Sequence, residues 1–279
     1  AKKVREKGIN LIKISDLNSK KFIKYSKKTK IHLFVNLGHG QLFKKDLINS
    51  SKIGILNYHP GFLPYGRGPG ALVGEIMNSS KFVGRTCHLV NDKFDLGQII
   101  KQEKFKVSKY ATNSDLSNLL NQDVDKFILS AIMKIINNNY KSKMIKKKNF
   151  GRYFPKRVAG DEIINWNDKS KNIYNKVRSR LYERYSIIYI KDTLKKYFVA
   201  DVKLDNNVKN YTFVNGQVID KTQTGILVKT ADTALWITKI INPKTKKKEV
   251  PKFKIGTCFQ TLNISDFIDL LGIIKKKRK

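Results

Sequence analysis

Asn57 and His59 stand two residues apart at the end of an apolar run, directly before a stretch rich in Gly and Pro. In an extended strand, residues i and i+2 point to the same side. We therefore expect the amide and the imidazole to face one crevice at the end of a strand, where α/β sheets bind ligands. An imidazole is suited to acid–base chemistry near neutral pH, provided that a second group orients its ring.

A candidate for that second group is Asp95, which lies in a loop between two predicted strands and is followed by Gly97. If this loop lies over the same sheet edge, the carboxylate can reach His59. A carboxylate beside an imidazole favours the protonated ring and fixes its orientation. The sequence thus predicts a site that contains Asn57, His59 and Asp95.

The residues after His59 form a loop that can neither continue the strand nor start a helix at once, because three prolines restrict the backbone. Its four glycines would let the chain pass close to a bound molecule. The loop is not a phosphate-binding Walker loop, because no Gly-Lys-Ser/Thr follows it. The prolines and glycines are Pro60, Pro64, Pro69, Gly61, Gly66, Gly68 and Gly70.

The first half of the chain alternates between predicted strands and helices, which is typical of a mainly parallel α/β layer. Thr112 and Asp115 form a variant capping box that opens one long amphipathic pattern through Ile136. The predicted strands are 31–37, 53–57, 82–90 and 98–107, and the short predicted helices are 41–48 and 69–78.

The second half of the chain has a different sequence pattern. An Asn- and Lys-rich stretch is followed by a predicted helix from about 168 to 181 and then by short β-rich runs without helices between them. Short strands separated by turns indicate a small antiparallel barrel. The predicted strands are 186–190, 197–202, 218–220, 225–229 and 234–241, and a last helix is predicted over 265–271. We therefore expect a catalytic domain over 1–139, a linker over 140–158 and a helix-plus-barrel domain over 159–279.

The net charge of +35 is the strongest compositional signal. It fits a phosphate-rich partner such as tRNA or ribosomal RNA. It also fits AT-rich codon usage, because only nine of the 57 basic residues are Arg, and Arg is the better residue for bidentate phosphate contacts. Both interpretations stay open, and the final Lys275–Lys279 run is expected to be a solvated tail.

Two cysteines, Cys87 and Cys258, form neither a disulfide framework nor a metal quartet. We expect a reducing location, the cytoplasm or an organellar matrix, and no metal. No apolar run approaches the length needed to span a bilayer, so no membrane span is expected.

The motifs of the first half resemble those of the folate-dependent formyltransferases, which include methionyl-tRNA, glycinamide ribonucleotide and sugar N-formyltransferases. The resemblance is carried by Asn57-x-His59, Phe62-Leu63-Pro64, Arg67-Gly68, Thr86-x-His88, Asp95-x-Gly97 and Gly38-His39-Gly40-Gln41-Leu42. Downstream, Asp161–Trp166 and the β-rich runs near 215–237 resemble the C-terminal domain of the tRNA and sugar enzymes.

The resemblance implies a Rossmann-like catalytic domain, an OB-like barrel and transfer of a formyl group from 10-formyltetrahydrofolate to a primary amine. Asn57 and protonated His59 would donate to the oxyanion, and Asp95 would take the amine's proton. Arg67 would meet an acceptor phosphate or be a solvated loop residue, and His88 would position or pack the site. The folate would lie along Gly38, Gly40, Gln41, Leu42, Gly61, Phe62, Leu63 and Pro64.

Three departures from the family pattern accompany the resemblance. The strand, helix and strand that normally precede a segment like 8–11 are missing, so the Rossmann-like sheet is expected to be incomplete at its N-terminus. Pro60-Gly61 stands where Ser usually follows the His, and Leu181–Arg184 replaces a Pro-x-Pro-Gly stretch.

The sequence is consistent with three candidate functions. Methionyl-tRNA is the first choice of acceptor, because the charge and the barrel suit a large polyanion. A nucleotide-linked amino sugar is the alternative, since Thr86-x-His88 looks like the sugar and ribonucleotide branches. A non-catalytic RNA- or ribosome-binding protein that kept the fold is the third.

Overall fold

The computed structural model describes residues 6–140, 151–180, 185–205, 207–210 and 212–261. The chain divides into two compact units. The first takes the described residues of Ala1–Ala71, Phe82–Lys106 and Leu120–Pro155, and the second takes those of Leu72–Lys81, Val107–Leu119 and Lys156–Lys279. The predicted domain boundaries remain a prediction beside this division, and the predicted helix 265–271 and the Lys275–Lys279 tail lie outside the described residues.

The sheet of the first unit has four strands in the order β1 (Leu33–Asn36), β2 (Gly54–His59), β3 (Phe82–Leu89) and β4 (Gln98–Lys106). Only β1 and β2 are parallel, while β3 is antiparallel to both of its neighbours. The prediction of a mainly parallel sheet is therefore wrong for these strands. A loop of eight residues joins β3 to β4, and a connection this short reverses the chain into an antiparallel pair.

The two faces of this sheet pack against different helices, as the alternation of side chains along β2 requires. Leu56 packs with Phe127, Ala131 and Ile135, which repeat at helical spacing along α5 (Val124–Ile136). On the other face, Ile55 packs with residues in and beside α2 (Lys45–Ile48) and α1 (Lys20–Lys28). Asn57 and His59 alternate with Leu56 and so belong to the face of Ile55.

The amphipathic pattern expected as one long helix is two helices, α4 (Asn113–Asn121) and α5. Its predicted capping box is confirmed, because Thr112 and Asp115 exchange hydrogen bonds. The pattern is interrupted after α4. There the buried guanidinium of Arg85 donates to the carbonyl groups of Leu120 and Gln122, and Asp123 adopts a left-handed φ of 47°.

The second unit contains an antiparallel sheet of six strands in the order β5-β6-β9-β8-β7, with β10 paired to β9. Its core includes Trp166, Ile173 and Phe259, which pack against the inward side chains of the strands. The strands are β5 (Ser186–Tyr189), β6 (Lys196–Leu204), β7 (Val218–Thr222), β8 (Gly225–Lys229), β9 (Ala234–Ile241) and β10 (Lys248–Glu249).

The predicted OB-like barrel is not confirmed. Single bridges join Ile190 to Phe259 and Gln217 to Cys258 near the two ends of the sheet. No continuous ladder closes the sheet among residues 185–261, apart from the gaps at 206 and 211. The second half is therefore an antiparallel sheet, and barrel closure stays a prediction.

One helix of the second unit, α6 (Ser170–Arg178), fastens two segments that come from the first half of the sequence. Arg178 donates to the carbonyl groups of Ile76 and Ala111. Asn175 donates to Ser79 and to the carbonyl group of Met77, at the end of α3 (Ala71–Met77). These hydrogen bonds explain why residues 72–81 and 107–119 belong to the second unit.

Within the described ranges, every helix is too short or too polar to cross a lipid bilayer.

Candidate active site

The register of the first sheet places polar side chains in two rows that cross the strands. In the first row, Asn36 of β1 is opposite Asn57 of β2, and Asn57 is opposite His88 of β3. In the second row, His59 is opposite Thr86 and Thr86 is opposite Gln102. Residues opposite one another in a ladder present their side chains on the same face. We call these the Asn36–Asn57–His88 row and the His59–Thr86–Gln102 row.

The first row is linked by side-chain hydrogen bonds. Asn36 Nδ2 donates to Asn57 Oδ1 over 2.6 Å. Asn57 Nδ2 lies 3.0 Å from His88 Nε2. His88 is almost fully buried, with 1% of its surface exposed. The amide of Asn57 is therefore held from both sides by neighbouring strands.

His59 ends β2 and is buried, with its two ring nitrogens facing different groups. Nε2 lies 2.5 Å from the Gly66 carbonyl oxygen and donates to it. Nδ1 lies 3.7 Å from Asp95 Oδ1. Burial lowers the pKa of His59 below its ordinary value of 6.5, against the opposing effects of Asp95 and the Gly66 carbonyl group. The buried ring thus loses its proton more readily than a free histidine, whereas the sequence predicted a protonated donor.

Asp95 connects the two rows and the Gly-rich loop. Its Oδ1 lies within 3.7 Å of both imidazoles, and its Oδ2 accepts the Gly68 N–H over 2.7 Å. Burial raises the pKa of Asp95, but contacts with His88, His59 and the Gly68 amide lower it more, to about 2. The carboxylate is consequently ionised at neutral pH.

The route by which Asp95 reaches His59 differs from the expected one. Since β3 is antiparallel to β2, the loop after β3 leaves beside the start of β2, where the Val90 N–H donates to the Ile55 carbonyl group. The loop then folds back over the sheet face, with Asp95 in the left-handed region at φ 55°. Asp95 thus reaches across the sheet face to the carboxyl ends of β1 and β2, where Asn36 and His59 are the last residues of their strands.

The second row holds the loop that follows His59. Thr86 Oγ1 donates to the Gly61 carbonyl group over 2.7 Å and accepts the Leu63 N–H over 3.2 Å. Gln102 donates to the Leu63 carbonyl group over 2.7 Å. Leu63 itself is a buried core side chain, and the Leu63–Pro64 peptide bond is cis. Of the residues predicted to hold a folate here, Gly61 and Leu63 thus have their backbone groups bonded within the protein.

The other predicted folate segment follows β1. Gln41 donates to Asp16 over 2.5 Å and accepts the Leu17 N–H over 3.3 Å, so its side chain fastens the segment to residues 16–17. Leu42 is exposed, Gly38 has a positive φ of 93°, and a methyl group at Gly40 would meet no atom within 4 Å. Gln41 thus anchors the segment, and the space beside Gly38 and Gly40 is open.

Arg67 lies in the same loop as Gly66 and Gly68, and its guanidinium donates to the Gly151 carbonyl group over 3.1 Å. It also stands 5.7 Å from the centre of the Tyr153 ring. The backbone of Arg67 exchanges hydrogen bonds with Arg152 and Phe154. In this structure Arg67 joins two segments of the first unit, and contact with an acceptor phosphate stays a prediction.

The structure thus brings Asn57, His59, His88 and Asp95 together. Sequence reasoning missed Asn36 and Gln102, and it missed the backbone groups of Gly66 and Gly68. Asn36 did carry a signal, because it stands near the end of an apolar run, two residues before Gly38, much as Asn57 stands near the end of the next run. The backbone groups carry none, since any residue supplies an N–H and a carbonyl group.

The lowered pKa of His59 predicts a pH dependence of stability. Below pH 6.5 the unfolded chain takes up a proton that the buried ring resists, so the free energy of unfolding should fall as the pH drops. His59→Gln keeps a donor for Gly66 but lacks the titration. Urea unfolding at about pH 7.5 and about pH 5.5 should show a larger loss for the wild type. An equal loss in both proteins would contradict the effect of burial.

A formyl transferase family model matches residues 3–132, and the model for the formyl transferase C-terminal domain matches residues 158–256. Methionyl-tRNA formyltransferase from Clostridium tetani is 26% identical over 236 residues, which cover 84% of this chain and 74% of that protein.

Solved structures share the fold at lower identity. WlaRD, a sugar 3N-formyl transferase, matches with a TM-score of 0.62 at 20% identity. The matched region covers 85% of this chain and 80% of the WlaRD chain. HypX from Aquifex aeolicus has a TM-score of 0.60 at 20% identity and covers 89% of this chain, which spans only 44% of HypX. With two family models matched in order along most of its length, the chain belongs to the formyl transferase family.

Proposed function

We propose that this formyltransferase transfers the formyl group of 10-formyltetrahydrofolate to the amine of methionyl-tRNA. The observation that carries formyl transfer is the convergence of Asn57, His59 and an ionised Asp95 on one sheet face. Solved relatives of this fold support the donor, because WlaRD was crystallised with 5-N-formyl-THF and HypX with tetrahydrofolic acid.

The described residues fit such a donor beside the amide of Asn57. Leu37 and Leu42 are exposed apolar side chains just after β1, and the glycines between them leave the backbone accessible. Apolar contact of this kind suits the flat ring of a folate. Residues 37–42 would bind the donor, while the loop 61–64 shapes the space beside His59.

The site residues divide the reaction between them. As the amine attacks the formyl carbon, negative charge develops on the formyl oxygen, and the Asn57 amide can donate to it. The attacking amine must lose a proton, which the ionised Asp95 can accept directly or through a water molecule. His59, held by Gly66, lies beside Asp95 and can share that proton through Nδ1. The bond between the formyl carbon and the folate nitrogen would then break as the oxyanion collapses, and the proton taken from the amine would pass to that leaving nitrogen.

The choice of methionyl-tRNA rests on the curated relatives and the charge. Methionyl-tRNA formyltransferases match along both halves of the chain, for example 84% of it in the Clostridium tetani protein. A net charge of +35 favours a polyanionic acceptor. A nucleotide-linked amino sugar is the second candidate, favoured by the likeness to WlaRD, which was crystallised with dTDP.

The test is a formyl-transfer assay that offers methionyl-tRNA and an amino-sugar nucleotide side by side. We expect turnover with methionyl-tRNA, and its apparent affinity should fall about 10³-fold between about 50 and about 200 mM salt if about six phosphates are bound. Turnover with the sugar nucleotide alone would overturn the acceptor. Transfer to neither, with steep salt-dependent tRNA binding, would favour a non-catalytic RNA-binding protein.

A further inference from the structure

Asn36 forms the outer end of the Asn36–Asn57–His88 row, and among the described residues its hydrogen bond to Asn57 is its link to the site. It belongs to the adjacent parallel strand β1 and is paired with Asn57 in the ladder. Its Nδ2 lies 2.6 Å from Asn57 Oδ1, the shortest link in the row. The side chain of Asn36 therefore bears directly on how the Asn57 amide is turned.

The orientation of the Asn36 amide is itself fixed by backbone groups. The His39 N–H donates to Asn36 Oδ1 over 3.1 Å, and Asn36 Nδ2 donates to the His39 carbonyl group over 3.3 Å. A backbone N–H can only donate and a carbonyl oxygen can only accept. Turning the Asn36 amide over would break both bonds, so Nδ2 must face Asn57.

This fixed donor sets the next two groups in the row. Asn57 must present Oδ1 to Asn36, and its Nδ2 therefore faces His88 Nε2 at 3.0 Å. An amide N–H requires an acceptor, so His88 Nε2 carries a lone pair and the ring proton sits on Nδ1. Within the described part of the chain, the second N–H of Asn57 has no acceptor and remains available for an oxyanion.

Two other contacts of His88 do not alter this assignment. Its Nε2 is 3.6 Å from Asp95 Oδ1, which is longer than a hydrogen bond. Its Nδ1 is buried and has no partner among the described residues. That nitrogen is unsatisfied in either tautomer, so it favours neither one.

We propose that Asn36 is a positioning residue that sets the Asn57 amide as oxyanion donor and holds His88 in the Nδ1–H tautomer. The catalytic part of this inference rests on the proposed formyl transfer, while the tautomer does not. The His39 backbone fixes the Asn36 amide, the Asn36 amide fixes the Asn57 amide, and the Asn57 amide fixes the tautomer of the His88 imidazole. Asn36 itself touches no reacting atom.

Asn36→Asp is the sharpest test, because it keeps the shape and the acceptor for His39 but replaces the Nδ2 donor with an oxygen. We expect the Asn57 amide to turn over, with its Nδ2 on the introduced carboxylate and its Oδ1 on His88. His88 would then become the Nε2–H tautomer. The donor to the oxyanion would be lost, and kcat should fall by about 10² to 10³ with little change in KM for methionyl-tRNA.

The tautomer is read from ring ¹⁵N shifts of the full chain labelled at histidine, with His88→Gln used to assign the signals. Asn49→Asp is the matched control, because Asn49 is exposed and follows α2, away from the residues of the row. The control should leave both the His88 tautomer and turnover unchanged.

An Nε2–H tautomer in the wild type, or an unchanged tautomer in Asn36→Asp, would overturn the inference. A switched tautomer with undiminished kcat would overturn the positioning role. If the wild type transferred no formyl group to either acceptor, the proposed function would fail, yet a switched tautomer would still support the hydrogen-bond chain.

Discussion

Replacing Gly61 with alanine should lower kcat by about 100-fold or more, although Gly61 has no side chain. A methyl group there would clash with the Gly66 carbonyl oxygen and lie 2.5 Å from His59 Nε2. Either the carbonyl group or the imidazole must move, and the hydrogen bond between them holds His59 in place. Displacement of a catalytic group by about 1 Å costs on the order of 10² in rate.

Thermal unfolding and the ring signals of His59 separate this effect from a general loss of structure. Gly61→Ala should shift the His59 signals while the protein still unfolds cooperatively. Gly40→Ala is the matched change for this readout, because its methyl group would meet no atom within 4 Å. Unshifted His59 signals in Gly61→Ala, together with wild-type turnover, would show that the space beside Gly66 holds a methyl group without moving His59, and would contradict the prediction.

Replacing Asp95 with asparagine should reduce kcat by about 10² to 10⁴, the range expected when a proton-accepting group is lost. The substitution keeps an acceptor for the Gly68 N–H and removes the charge beside His59 and His88. Because the pKa of Asp95 is lowered to about 2, the wild-type carboxylate is ionised throughout the neutral range. The loss of rate should therefore be nearly the same at every pH from about 6 to about 9.

Asp92→Asn supplies the control, since Asp92 lies in the same loop and pairs with Lys45 at the surface, 3.4 Å away. It removes an equal charge without touching either imidazole, and turnover should stay near the wild-type value. If Asp95→Asn kept more than about a third of the wild-type kcat, Asp95 could not be the proton acceptor.

Much of the site could be predicted from the sequence, because its residues occupy short-range patterns. Asn57 and His59 are two apart on one strand, and a loop carboxylate was expected to join them. The direction of β3 could not be predicted in the same way, since an apolar run does not reveal which neighbour it pairs with or in which sense. That direction decides how Asp95 approaches, over the face of the sheet.

Cross-strand register explains the residues that sequence reasoning missed. Asn36 and Asn57 are 21 positions apart, and Gln102 and Leu63 are 39 apart, yet each pair is hydrogen bonded. Such neighbours are set by long-range pairing of the strands, which local periodicity does not encode. The expectation of a protonated His59 did not include burial, which lowers the pKa of the ring and depends on the loop that packs over it.

The Gly-rich loop is held from two sides by parts of the chain far apart in sequence. Gly68 donates to Asp95, while Gly70 donates to the carbonyl group of Phe154 and Arg67 pairs with residues 152–154. The first family model ends at 132, before that second set of partners. A fragment cut at that boundary would keep every side chain of the catalytic cluster but lose the backbone partners of Arg67 and Gly70. A shortened chain would therefore need residues 152–155 to hold the loop beside Asp95, and α6 to hold residues 72–81 and 107–119.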